Sequence, residues 1–382
     1  MQTMSNAPPS SAWLRLGLPR YSTLRPVLGA FILSRLLLLL VGITARKLSG
    51  DSSRAMELWV QWDAHWYIDI IEHGYSESPF VFDSGIAGQA NVAFFPAYPM
   101  LVRLLATVMP TVPAGLLVSN VCLLLACFLL HALVRERMGL RAGNLAVLSL
   151  CFFPGSFVFS GLMSESLFVL GAAGAWLFAR RGAYGRAAAF GALTCATRVT
   201  GIFVVLALVT DWLWTRLRTP GREPRWAELF MLGLAPLGLV AHMLFLDWRF
   251  GDAYAFQNVQ VFWGRTGVHN VPEMLLGALR APEMETRMSA VAVFVMAGLL
   301  GTSGRKYLTV GEFLFVVLSV GVALMGGMNS IPRYVLGLLP VHILMGAMMA
   351  RREVLARELL LLLAMLNALL MAFWSRGSHV FV

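Results

Sequence analysis

Long apolar runs separated by short arginine clusters constrain this chain more than any other feature. Backbone groups in hydrocarbon must find partners within their own segment, so runs of this length can only be helices buried in a bilayer or in one another. The first runs from about Leu24 to Thr44, behind Arg15, Arg20 and Arg25. Others end at Arg135, Arg137 and Arg141, at Arg180, Arg181 and Arg186, and at Arg351 to Arg357. Of 382 residues, 58% are hydrophobic and 13% charged, about half the charged share of a soluble domain. A net charge of +10 could suggest nucleic acid. The arginines lie between apolar runs, however, which is the positive-inside pattern and not a basic groove, so the partner is a lipid bilayer. Cys122, Cys127, Cys151 and Cys195 all sit in apolar runs, which predicts small buried hydrophobes without a disulfide framework.

The chain therefore predicts an all-α polytopic membrane protein, with residues 1–23 as a cytoplasmic tail and 24–375 as one transmembrane domain. Residues 45–113 are too polar to span and form a large outer loop. Spans follow near 114–134, 144–159 and 167–179, then 229–246, 288–300, 308–326, 331–349 and 358–374. A second polar outer loop covers 247–285, and 376–382 form an outer tail. Residues 187–214 are basic at both flanks and interrupted by Thr197-Arg198-Val199-Thr200-Gly201. The arginine pattern predicts two half-helices there, both ending inside, with a charge at depth between them.

Within the first loop, Trp59 to Tyr75 reads WVQWDAHWYIDIIEHGY. At 100° per residue, a helix over this stretch puts Trp59, Trp62, Trp66, Tyr67 and Ile70 in one arc with Asp63 at its centre. His65 and Glu72 point away, and Asp69 lies at the margin. Asp51-Ser52-Ser53 supplies cap chemistry before the helix and Gly74 a stop after it. The same pattern fits a membrane-surface helix with belt aromatics and one solvated acid. Ala93 to Met109 predicts a second interfacial helix. On this topology the remaining polar residues gather outside: Ser164-Glu165-Ser166, Asp252, Gln257, Arg265, and Asn329 to Tyr334. Arg198 carries a charge inside an apolar segment, which marks function by default.

The words themselves add a resemblance. WD-x-x-WY-x-x-I-x-x-x-GY followed by NVAFFP-x-YP resembles the first outer loop of the PIG-V-like (GPI mannosyltransferase II) family, within the GT-C glycosyltransferases. SFVFSGLMSESLF resembles that family's SF-FLS-PYSESLF. ALTCATRVTG resembles its LTRPTG, with Val199 replacing Pro. RFGDAYAFQNVQVFWGR is similar to its GDPLAF-x-x-x-Q-x-x-WGR, with Ala253 replacing Pro, and IPRYVLGLLP to its PRYLL-x-x-FP. Five words fall in the family's order between about residues 57 and 340, and neither Pro loss removes a charged or hydroxyl group.

The resemblance implies a GT-C-type helical bundle that moves a mannosyl or other hexosyl residue from a polyprenyl-phosphate sugar to a lipid-linked or surface glycan acceptor. Such a site needs a carboxylate to take the acceptor's proton, and Asp63 fits. It needs a cation for the leaving phosphate, Arg333 first and Arg265 and Arg198 after it, with Tyr334 beside Arg333 as a further candidate for donor binding. Trp62, Trp66, Tyr67, Glu165, Asp252 and Gln257 are the candidate substrate contacts. Bland alternatives stand beside these: Arg333 as a headgroup anchor, Glu165 as a helix cap, Asp252 as a turn residue and the aromatics as packing. No metal and no cofactor are expected, and inversion at the sugar follows from the family. Membrane placement is expected in a bacterial inner membrane, N-terminus inside, or alternatively in the endoplasmic reticulum. A lipid or glycolipid transporter is the rival class. It predicts internal repeats and charges spread over several spans, and neither is apparent.

Overall fold

A computed structural model describes residues 21–51, 55–76, 89–218, 225–265, 270–328 and 331–378. The tail 1–20, the Ser52-Ser53 cap, Asn329 and residues 379–382 lie outside the described residues. Among those described, every regular element is helical.

The chain opens with α1 (Tyr21–Leu48), followed in the first loop by α2 (Ala64–His73) and α3 (Ala97–Leu105). Then come α4 (Thr111–Met138), α5 (Leu140–Phe152), α6 (Glu165–Arg180), α7 (Tyr184–Thr197) and α8 (Gly201–Arg218). The second half holds α9 (Trp226–Leu232), α10 (Leu237–Phe250), α11 (Ala255–Asn258), α12 (Val271–Ala278) and α13 (Met284–Leu299). A π-turn joins α13 to α14 (Arg305–Tyr307), and α15 (Val310–Met325), α16 (Ile331–Leu336), α17 (Leu339–Arg351) and α18 (Glu353–Trp374) complete the bundle. Among the described residues, four helices are long and apolar enough to cross a membrane, or five if α9 and α10 count as one span bent by 42°. That bend falls at Pro236, which has no N–H to continue the ladder from Leu232.

The segment expected as a broken re-entrant pair is broken where expected, but it reaches further. At 1.5 Å per residue, α7 is about 21 Å long and α8 about 27 Å. Arg198 thus sits at an end of the bundle, level with the first residue of α6, and not part-way through it. Gly201 makes the close hairpin possible. A Cβ there would lie 2.3 Å from the Thr194 carbonyl carbon, so only glycine allows α8 to begin against α7.

The expected span over 331–349 is two helices. Pro340 cannot donate to Leu336 O, so the ladder breaks there, and His342 Nε2 takes the freed carbonyl at 3.1 Å. The break leaves α16 as a short separate piece carrying Arg333 at the end where Glu165 and Arg198 lie. The opposite end carries structural pairs instead: Arg137 with Glu312, Arg181 with Glu136, and Arg216 with Glu228. All four cysteines are buried and free, as expected.

Candidate active site

The first loop departs from a continuous helix. Ala55–Trp59 is a 3-10 turn, and α2 starts only at Ala64. The carbonyls of Leu58 and Trp59 are taken by Trp374 Nε1 (3.1 Å) and Leu162 N–H (3.2 Å), so they bind neighbouring segments instead of propagating a helix. Trp62 then turns the chain with φ 53°, the one non-glycine left-handed residue among those described. Asp63 follows at the N-cap, yet its carboxylate makes no cap bond. It faces away, onto Arg333.

Arg333 is the centre of the cluster. Its Nη2 lies 2.6 Å from Asp63 Oδ2, and its Nε 3.2 Å from Glu165 Oε1. Arg198 Nη1 meets the same Glu165 oxygen at 2.7 Å. The Tyr334 ring lies between two more cations, with the Arg198 guanidinium 5.5 Å and the Arg265 guanidinium 5.9 Å from its centroid. Arg265 is steadied by Gln260 Oε1 at 2.7 Å and follows Gly264, whose φ of 74° suits glycine. Three guanidiniums therefore face two carboxylates, which leaves the cluster one positive charge in excess. Arg333 Nη1 is buried without a hydrogen-bond partner, and the Nε contact to Glu165 is too poorly aligned to be one. A small cavity opens here, lined by Glu165, Arg198, Arg333 and Tyr334 on its polar side and by Phe168 and Phe315 on its apolar side.

The structure thus brings together Asp63, Glu165, Arg198, Arg265, Arg333 and Tyr334. The aromatics of the first loop are placed differently. Trp66 is buried, stacked on Phe94 (centroids 5.9 Å) and edge-on to Trp263 (5.7 Å). Tyr67 lies edge-on to Phe94 and Tyr98, and its hydroxyl donates to Ser164 Oγ at 2.8 Å. Burial pushes the Tyr67 phenol well above its usual range, so it remains a donor. Trp62 is half-buried against the core. These rings lock the first loop to the second and to the start of α6. Asp252 accepts from Tyr254 N–H and Asn258 Nδ2, both at 2.8 Å, as a turn residue does. Gln257 is exposed on α11. The hydrogen bonds of neither reach the cluster.

Three features escape the sequence pattern. Asp69, expected at the margin of an amphipathic helix, is buried and accepts from Asn91 Nδ2 at 2.6 Å and meets His73 Nδ1 at 3.0 Å. Asn91 also donates to Gly74 O (2.9 Å) and accepts from Ser76 N–H (2.8 Å), tying the loop's two motifs together. Arg35, inside α1, donates to Ser156 O, Cys151 O and the Ser34, Ser156 and Ser160 hydroxyls at 2.8–3.2 Å. A charge in the middle of an apolar run was the signal for it. Ser319, in α15, has a buried hydroxyl on the cavity wall and gives no sequence signal. Among the described residues no group of three or more His, Cys, Asp or Glu could hold a metal ion.

ArnT from Cupriavidus metallidurans shares the fold. Its structure bound to undecaprenyl phosphate superposes with a TM-score of 0.50 at 12% identity, over 92% of this chain and 77% of that one. The apo structure gives 0.50 at 13%, over 92% and 76%. An oligosaccharyltransferase from Archaeoglobus fulgidus gives 0.47 at 14%, over 97% and 56%. No curated protein sequence matches. The Mannosyltransferase (PIG-V) family matches over residues 31–265, which include the first-loop motif, the α5–α6 turn, the α7–α8 break and the Trp263–Arg265 turn. The chain belongs to this mannosyltransferase family and is a membrane glycosyltransferase of GT-C fold.

Proposed function

We propose that this enzyme transfers a mannosyl or related hexosyl residue from a polyprenyl-phosphate sugar to a lipid-linked or surface glycan on the non-cytoplasmic face of the membrane. The observation that carries the reading is the buried Arg333, held by Asp63 at 2.6 Å and keeping one Nη1 donor unspent beside the cavity. An uncommitted guanidinium donor suits a phosphate oxygen, and the excess positive charge favours an anionic ligand. That ArnT was solved with undecaprenyl phosphate bound makes this class of lipid a reasonable one to test.

In the step we envisage, the acceptor hydroxyl attacks the anomeric carbon as Asp63 removes its proton. The bond to the phosphate oxygen breaks on the opposite face, so configuration inverts. Arg333, with Arg198 and Arg265 behind it, meets the charge that grows on the leaving lipid phosphate. Glu165 holds Arg198 and Arg333 in place. No step calls for a metal ion. The positive-inside pattern supports a cytoplasmic N-terminus and a site on the other face, in a bacterial inner membrane or the endoplasmic reticulum.

The test is transfer of radiolabelled mannose from polyprenyl-phosphate mannose into membrane lipids in proteoliposomes. Incorporation by wild type and none by Asp63→Asn supports donor class and base together. Equal incorporation by both removes Asp63 from the mechanism. Donor left intact by wild type removes the donor class and revives the transporter alternative.

A further inference from the structure

Serines and threonines buried in apolar helices normally return their hydroxyl to a carbonyl three or four residues back. Here Ser34 donates to Phe31 O (2.8 Å), Thr194 to Gly191 O (2.6 Å) and Thr197 to Leu193 O (2.6 Å). Ser319 on α15 does not. Its hydroxyl is buried, with the residue 3% exposed, and has no hydrogen-bond partner. An unmade bond of this kind costs about 1–3 kcal/mol.

The second observation is independent. Arg333 is also more than nine-tenths buried, comes from a different helix, and leaves Nη1 unpartnered. Ser319 and Arg333 line the same cavity. One neutral and one cationic donor therefore face one small space. The nearest charged acceptor, Glu165 Oε1, already serves Arg198 and lies against Arg333. A ligand entering this space can supply the acceptor oxygens both donors lack, and the excess positive charge favours an anion.

We infer that Ser319 is a donor-site residue whose hydroxyl hydrogen-bonds a phosphate oxygen of the lipid-phosphate sugar, alongside Arg333 Nη1. The inference rests on the donor class proposed above. It assigns a binding role to a serine that sits in none of the five motif words.

The experiment measures binding of undecaprenyl phosphate to the full chain in nanodiscs, for wild type, Ser319→Ala and Ser319→Thr, with thermal unfolding and transfer kinetics alongside. Ser319→Ala is expected to bind about tenfold more weakly, the loss of one hydrogen bond to a charged group. Its KM for donor rises. Its melting temperature stays level or rises, because an unsatisfied buried hydroxyl has been removed. Ser319→Thr keeps the hydroxyl and binds within about threefold of wild type on the same reasoning. Wild-type affinity in Ser319→Ala overturns the inference, as does equal weakening in both variants, since the hydroxyl would then not be the cause. If wild type itself does not bind the probe, the donor class fails and the inference falls with it.

Discussion

Asp63 and Arg333 come from opposite ends of the chain and meet as a salt bridge of 2.6 Å, with their side chains 19% and 8% exposed. On the proposed mechanism this carboxylate is a masked base, and the guanidinium is the group that the donor phosphate engages. The two contacts use different nitrogens, Nη2 for Asp63 and Nη1 for the phosphate, but both draw on one positive charge, so each weakens the other. On the proposed mechanism, a bound phosphate draws Arg333 towards itself and leaves Asp63 free for the acceptor hydroxyl. Asp63→Asn should therefore have two opposite effects. Transfer falls by about 10²–10⁴-fold, the usual contribution of a general base. Affinity for undecaprenyl phosphate rises, because Arg333 has lost its competing anion. Equal or weaker lipid binding in this variant, measured in nanodiscs, would contradict the masking.

Beside its proposed part in transfer, Arg333 holds two carboxylates together. Replacing it with Met leaves Asp63 and Glu165 in a low-exposure site without their shared cation. Breaking such a buried pair costs about 3–5 kcal/mol. Arg333→Met is expected to unfold at lower temperature and to lose transfer. Arg333→Lys keeps the charge but cannot place separate nitrogens on Asp63, Glu165 and a phosphate. It should recover much of the stability and little of the activity. A Lys variant with full turnover would show that only the charge is needed.

Gly201 supports the site from below. An added methyl would meet the Thr194 carbonyl carbon at 2.3 Å, and the three nearest atoms are all Thr194 and Cys195 backbone, with no flexible side chain to yield. Gly201→Ala should force α7 and α8 apart and shift Arg198 away from Glu165. Overpacking of this kind costs about 1–3 kcal/mol. The check is thermal unfolding together with donor KM. A stable variant with normal KM would mean that the α7–α8 hairpin does not set the position of Arg198.

Much of this site was legible in the sequence because its charged groups are costly in apolar surroundings and stand out there. Asp63, Glu165, Arg198 and Arg333 are all such groups, and the topology expectation already put the acids and Arg333 at one end. What the pattern misread was local geometry. An arc drawn at 100° per residue assumes an unbroken helix, but tertiary bonds to the Leu58 and Trp59 carbonyls and the left-handed Trp62 break it. Trp66 and Tyr67, candidate substrate contacts by composition, are packed ring against ring, a role that periodicity cannot separate from ligand stacking. Ser319 could not be read at all, since a serine in an apolar helix becomes unusual only once its hydroxyl is seen to lack a partner.

Arg35 gives the last prediction. It lies in α1 with its donors spent on the end of α5 and the 3-10 turn Ser156–Ser160, where the α5 carbonyls supply partial negative charge in place of an acid. That turn leads through Gly161 and Leu162, which bind Ser119 and Trp59, to Ser164 and Glu165. Trp59 in turn precedes Asp63. Arg35 therefore braces the segment from which both carboxylates are presented. Arg35→Met leaves several buried acceptors and hydroxyls short of a donor, at about 1–3 kcal/mol each. It should lower the unfolding temperature and the transfer rate together, although it lies outside the cluster. Arg35→Lys, with at most three donors in place of five, should fall between. If Arg35→Met unfolds and turns over like wild type, the turn is held by its other bonds, such as Asn367 Nδ2 to Ser156 Oγ at 2.9 Å, and the guanidinium is dispensable to the site.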